Sequence, residues 1–182
     1  SLDDRVPPEV KAQYLPNIWD SNSLSGTVFG LPWYLTTNVT IYNTDLLQQA
    51  GVEQPPATFE ELATVAKQMK EATGKYAYFT TFVPEDAADV LQSFVKMGVP
   101  LVDESGQAAF NTPDGQAVFQ YWTDLYQGGL LPREVLTQGH RRAIELYQAG
   151  ETALVSTSPQ FLDTIAKNAP GIAAVSEVAP QI

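Results

Sequence analysis

A nucleophilic catalyst in this chain would need its single histidine, His140, which sits in a helical stretch beside Arg141 and Arg142. A Ser-His-Asp arrangement would have to use it, and a position on a surface helix is the better reading. There are no cysteines, so disulfides, thiolate catalysis and thiolate metal sites are excluded. One His and no Cys leave only carboxylates for a metal. Asp103, Glu104 and Asp114 flank a turn without the spacing of a calcium loop and read as solvated turn charges. Gly128-Gly129 follows a helix instead of preceding one, which makes it a stop signal and not a phosphate cradle. No catalytic residue, metal ligand or cofactor is therefore assigned. Paired carboxylates for glycoside hydrolysis stay open, with Glu85-Asp86 next to Phe82 and Pro84 as the best candidates. The competing reading is that these two acids simply favour the N-terminal end of a helix macrodipole.

The polar and aromatic residues are more suggestive. Aromatic faces cover the C–H surface of a pyranose, and short hydroxyl and amide side chains orient its hydroxyls. Three places supply such material at strand ends: Trp33-Tyr34 with Thr36-Thr37-Asn38, Thr80-Thr81-Phe82 with Glu85, and Ser156-Thr157-Ser158 with Gln160. The third lies at a helix start, where free amides also receive oxygen atoms. Each has a local alternative as turn residue, strand end or cap. Together, on a scaffold whose binding edge lies at strand ends, they point to a ligand cleft.

The elements that must position them follow from periodicity and stop signals. Residues 1–28 read as an irregular lead-in with one helical turn. Thr36 to Asn43 alternates as a strand, with Thr37, Val39 and Ile41 on one face. Asp45 to Ala50 is a short helix stopped by Gly51. Thr58 and Glu61 form a capping box in which Glu61 returns to the Thr58 amide. Leu62, Val65, Ala66 and Met69 then share a helix face that ends at Gly74. Tyr76 to Thr81 reads as a strand. Pro84 opens a helix with Leu91, Phe94 and Val95, stopped at Gly98. Asp103 to Gly106 is a turn between two short strands. Thr112-Pro113 starts a helix that carries Val118, Trp122 and Leu125 inward and stops at Gly128-Gly129. His140 to Gln148 is a helix stopped by Gly150, and Thr152 to Ser156 is a strand. Ser158-Pro159 repeats the cap-then-proline start for a helix with Phe161, Leu162 and Ile165. Ile172 to Val175 is the last strand. Alternating helices and strands argue an α/β layer architecture.

The 182 residues suffice for one large domain or two small ones with a proper core. Ten basic against 21 acidic residues give a net charge of -11. That disfavours nucleic acid and anionic membrane surfaces as partners. No apolar run approaches the ~20 residues that span a bilayer. No signal peptide is visible at Ser1-Leu2-Asp3-Asp4-Arg5, which read alone suggests a cytoplasmic chain.

The segment Phe29 to Glu61 combines Gly30-Leu31-Pro32-Trp33-Tyr34, Tyr42-Asn43-Thr44-Asp45-Leu46-Leu47, Ala50-Gly51 and Pro56-x-Thr58-Phe59-Glu60-Glu61-Leu62. It resembles the extracellular solute-binding proteins of ABC importers, in the large group that includes maltose-binding protein. Phe94 to Leu101, Phe110-Asn111-Thr112-Pro113 and Tyr147-x-x-Gly150-x-x-Ala153-Leu154, followed by Ser158-Pro159, extend the resemblance over nearly the whole chain. Phe59 stands where Trp is frequent.

The resemblance implies one lobe of a two-lobed binding protein, a mixed sheet flanked by helices. It implies hinge closure on a sugar or oligosaccharide, delivery to the transmembrane subunits of an ABC permease, no catalysis, and a monomer. Family members are usually about twice this length, beyond the ordinary domain size. Residues 1–28 are then the lead-in to the first interlobe crossing, 29–178 the second lobe and 179–182 the approach to the second crossing. The N-terminal lobe is expected before Ser1. The implied location is periplasmic or extracellular, with a lipid anchor upstream of this chain as one form of it.

Carried over residue by residue, the cleft residues are Trp33, Tyr34, Thr36, Thr37 and Asn38 from the crossing, Thr81, Phe82 and Glu85 from the middle loop, and Ser156, Thr157, Ser158 and Gln160 from the last. Gln160 stands near a position where the family often has a stacking aromatic, which leaves the ligand open. The alternatives are a carbohydrate hydrolase using Glu85, or a binding protein for a polyamine, iron or another small solute. Iron-binding relatives use adjacent tyrosines, and no Tyr-Tyr pair occurs here. Polyamine binding needs several cleft acids, and only Glu85 and Asp86 lie near the proposed edge.

Overall fold

The computed structural model describes residues 1–182, which divide into two compact units, Ser1–Thr37 and Asn38–Ile182. The first unit is more regular than the expected lead-in. Two short helices, α1 (Pro8–Lys11) and α2 (Pro16–Asp20), each begin with proline at the first helical position. A hairpin of β1 (Ser23–Leu24) and β2 (Thr27–Val28) turns through Ser25 and Gly26, at φ 50° and 77°. Positive φ at both turn residues matches the twist of a tight hairpin. Trp19 is the buried centre of this unit, with Tyr14 5.5 Å away between ring centroids and the Lys11 ammonium over its ring. Elements this short carry too few residues for periodicity to register.

The second unit is built on an antiparallel sheet in the order β4-β3-β5, formed by β3 (Val39–Asn43), β4 (Leu154–Thr157) and β5 (Ser176–Pro180). Thr40 lies opposite Ser156, and Ile41 opposite Val155. Directly paired residues share a face, so the sheet presents a hydroxyl pair on one side and an apolar pair on the other. A parallel bridge between Tyr76 and Thr152 makes the pairing mixed.

Asn43 accepts the Leu46 amide and starts α3 (Thr44–Gln49). Helix α4 (Phe59–Thr73) is capped by Thr58, whose hydroxyl accepts the Glu61 amide at 3.1 Å. The return bond goes to Ala57 N–H at 2.7 Å, one residue before the expected Thr58. Leu62, Val65, Ala66 and Met69 are buried as the spacing requires, and Gly74 closes the helix at φ 72°. Thr58→Ala is expected to cost about 1 kcal/mol, read as a lower urea midpoint with an unchanged slope.

Further expectations differ from the structure. Tyr76–Thr81 is an extended segment whose ladder with the Glu151–Leu154 stretch ends at Ala77, after which Phe82 N–H turns to Val135 C=O. Pro84–Asp86 forms a 3-10 turn, and α5 begins only at Ala88 and runs to Lys96. Its inward residues are Val90, Ser93 and Phe94, while Leu91 and Val95 are exposed. Ser93 is drawn inside because its Oγ accepts the Trp122 indole N–H at 2.9 Å.

Helix α6 (Pro113–Gln127) follows its Thr112 cap as expected, and Val118, Trp122 and Leu125 are buried. The turn before it holds a single Val102–Ala108 bridge where two short strands were expected. Helix α7 (Arg141–Gln148) buries Tyr147, whose hydroxyl bonds the Ser176 hydroxyl at 2.6 Å and whose pKa burial pushes up to about 12.

Ser158-Pro159 opens a turn, not a helix. Ser158 C=O accepts the Phe161 amide, and α8 spans Phe161–Asn168. Proline as second residue of a turn and proline at a helix start are the same sequence signal. The strand expected at Ile172–Val175 is displaced by α9 (Pro170–Ala173), and β5 follows it. No helix is long and apolar enough to cross a membrane.

Candidate polar pocket of the second unit

Where Thr40 and Ser156 pair across β3 and β4, their side chains form the floor of an enclosed pocket. Tyr78 and Thr80, on the extended segment before the 3-10 turn, line one wall. Asp89, Gln92 and Lys96 line another, at helical spacing along one face of α5. Trp122 from α6 closes the apolar side, with Phe59 and Leu62 from α4.

The electrostatics are mixed. Thr80 is buried, and its Oγ1 has no protein hydrogen-bond partner. A buried hydroxyl in that state costs about 1–3 kcal/mol. Burial first of all, then the Asp89 charge, pushes the Tyr78 phenol pKa up, with Ser156 opposing, so it stays neutral. Gln181 donates its side-chain amide to Ser156 Oγ at 2.7 Å, and the Lys96 ammonium bonds the Ile182 carbonyl oxygen. Desolvation lowers the Lys96 pKa, and Asp89 opposes that shift. The pocket therefore offers hydroxyl donors and acceptors, an amide, one carboxylate, one ammonium and an aromatic ring. That set can hydrogen-bond hydroxyl groups, in a space that admits no more than a water-sized group.

The sequence candidates divide between the two units. Trp33, Tyr34, Thr36 and Thr37 belong to the first, in a stretch without regular secondary structure. Trp33 is 98% exposed there, and the Thr36 hydroxyl donates to the Thr37 carbonyl. Asn38 opens the second unit half-buried.

In the second unit Thr80 and Ser156 are the named residues that line the pocket. Thr157 and Ser158 are buried beside Ser156 along the chain, and Gln160 is exposed on the turn. Thr81 Oγ1 donates to Gln138 C=O at 2.7 Å and accepts the Val83 amide. Phe82 meets Trp122 edge-to-face at 6.2 Å and lines an apolar groove with Tyr126. Glu85 is exposed on the 3-10 turn. Sequence reasoning missed Tyr78, Asp89, Gln92 and Lys96. For the last three the usable signal was their common spacing on the polar face of α5. His140, read as a surface-helix residue, is the residue before α7 and lies 3.6 Å from Asp89 through Nδ1. No group of three or more His, Cys, Asp or Glu side chains is placed to hold a metal ion.

Comparison with known proteins gives a consistent picture. The family described as bacterial extracellular solute-binding protein matches residues 1–180. A periplasmic-binding protein from Synechococcus sp. MITs9220, named as oligosaccharide-binding and solved in complex with zinc, is 47% identical with a TM-score of 0.94. That match covers 100% of this chain and 46% of the other. Maltose-bound MalE3 of T. maritima is 26% identical with a TM-score of 0.78, over 94% of this chain and 44% of that one. A Deinococcus radiodurans protein named as an ABC transporter-binding protein is 32% identical over 161 residues, 83% of this chain and 37% of its own length. The chain thus spans less than half the length of each of these relatives.

Proposed function

We propose, since the chain belongs to the family of bacterial extracellular solute-binding proteins, that it contributes a solute-binding lobe to an ABC importer and that its solute is a sugar or oligosaccharide. The observation that carries the reading is the polar pocket over the Thr40–Ser156 pair, with the partnerless Thr80 hydroxyl in its wall. A ligand hydroxyl would satisfy Thr80, and Asp89, Gln92 and Lys96 would orient neighbouring hydroxyls while Trp122 meets an apolar face. Relatives named as oligosaccharide-binding or solved with maltose support the ligand class.

Trp33, Tyr34, Thr36, Thr37, Asn38, Thr81, Phe82, Glu85, Ser156, Thr157, Ser158 and Gln160 remain proposed ligand residues. Hinge closure, in which contacts from two lobes favour the closed population, is the proposed mechanism. Delivery to permease transmembrane subunits and an extracellular or periplasmic location follow from the same reading. Hydrolysis is the less favoured alternative. Asp86, the natural partner acid for Glu85, is instead held on the His140 amide.

A calorimetric screen of malto- and arabino-oligosaccharides against the full-length protein tests the proposal. Binding without turnover is the expected result; binding of a polyamine or iron but no sugar would overturn it. Thr80→Val supplies a signed control. It removes the partnerless hydroxyl, so stability is expected to rise by about 1 kcal/mol while sugar affinity drops about tenfold. Unchanged affinity in a more stable variant removes Thr80 from the site.

A further inference from the structure

The segment that carries Thr81, Phe82 and Glu85 is tied to a second segment, 135–140, at four points. Phe82 N–H donates to Val135 C=O at 2.8 Å, and Thr81 Oγ1 donates to Gln138 C=O at 2.7 Å. Asp86 Oδ2 accepts the His140 backbone N–H at 2.5 Å. Asp89 Oδ2 lies 3.6 Å from His140 Nδ1, with the imidazole only 32% exposed. Three of these ties have a backbone group on at least one side, and carboxylates stay ionised throughout the range in which histidine titrates. The fourth joins the only histidine to a carboxylate that also lines the polar pocket.

We propose that His140 is a positioning residue for the solute pocket: when charged it holds Asp89, and through it segment 81–89, in the arrangement that binds solute, and when neutral it loosens that hold, so that affinity falls as pH rises. This rests on the solute-pocket reading given above.

The charges around the pair leave it the main titrating contact. Asp86 and Asp89 face His140 from the 3-10 turn and α5. On the helix that follows it, Arg141 is paired with Glu145, and Arg142 with Glu145 and with Glu134 outside that helix. Lys96 and the neutral Tyr78 phenol also feel the Asp89 charge. The Asp89 carboxylate 3.6 Å away holds the imidazole pKa above its ordinary 6.5, against an opposing effect of burial. A raised folded-state pKa means that the folded protein binds the proton more tightly. The stabilisation is therefore fully present below pH 6.5 and is lost as pH rises through the raised value.

Amide hydrogen exchange of residues 81–89 in the full-length protein, on both sides of the histidine titration, tests this together with maltotriose and arabinotriose titrations. In the wild type, opening of 81–89 and the sugar dissociation constant are expected to rise about two- to fivefold from the acidic to the alkaline side. His140→Asn keeps an amide donor near the Nδ1 position without titrating, and its profile is expected to be flat. His140→Phe is expected to exchange fast at both pH values. The same pH dependence in His140→Asn as in wild type overturns the inference, because a merely structural histidine would not carry the titration. Sugar binding with a flat wild-type exchange profile also overturns it and leaves the proposed function standing. A His140-dependent exchange profile with neither sugar bound supports the latch and counts against the sugar reading.

Discussion

Trp122→Ala is expected to lower the unfolding free energy by about 3–5 kcal/mol, the largest effect of a single substitution proposed for this chain. Trp122 is almost completely buried and meets three rings edge-to-face: Phe59 at 5.9 Å, Tyr121 at 5.0 Å and Phe82 at 6.2 Å between centroids. It joins α4, α6 and the segment leading to the 3-10 turn, and its indole N–H reaches Ser93 on α5. Removing it opens a cavity at the meeting of these elements and takes a donor from a buried serine. Trp122→Phe separates the two contributions. It keeps most of the ring packing and loses the hydrogen bond, so about 1 kcal/mol is expected. Chemical denaturation reads both, and an Ala variant with a wild-type midpoint would show that this aromatic cluster is not the centre of the core.

The second large effect is on binding. Asp89→Ala is expected to weaken sugar affinity about 10- to 100-fold, the worth of a hydrogen bond to a charged group. Asp89 is the only carboxylate on the pocket wall. As an acceptor-only group it can take two sugar hydroxyls at once. The same substitution leaves His140 without its partner, so the pH dependence of segment 81–89 should disappear along with the affinity. Asp89→Asn keeps the shape and loses the charge, and an intermediate loss is expected. Calorimetry on folded variants decides it. Wild-type affinity in Asp89→Ala would place the solute elsewhere.

Much of the frame was legible because it is encoded locally. Thr58 and Thr112 can satisfy helix amides only as caps, and Gly74 can reverse the chain at φ 72° without a Cβ penalty. The spacing of Leu62, Val65, Ala66 and Met69 leaves one buried face for α4 whatever packs on it. The order of these blocks carried the family resemblance, which the matched family now shows.

The errors fall where one local signal serves two structures. Ser158-Pro159 fits a turn as well as a helix start, and Ile172 to Val175 is too short for its apolar run to separate helix from strand. Leu91 and Val95 belong to α5 as expected but are exposed, and its buried side includes Ser93, which accepts the Trp122 indole N–H there.

The sequence by itself determined the α/β class, the principal helices and their caps, the exclusion of thiolate chemistry, and the region of the chain where hydroxyl and aromatic residues gather. These depend on residues within one or two helical turns of each other, so neighbours in sequence suffice to read them. Only the tertiary structure decided which of those residues share a pocket. Ser156 meets Thr40 through strand pairing, Asp89 meets His140 across two separate segments, and Thr80 ends up buried without a partner because elements far apart in sequence close over it. Such meetings are set by packing between distant elements, and a binding site is made of them.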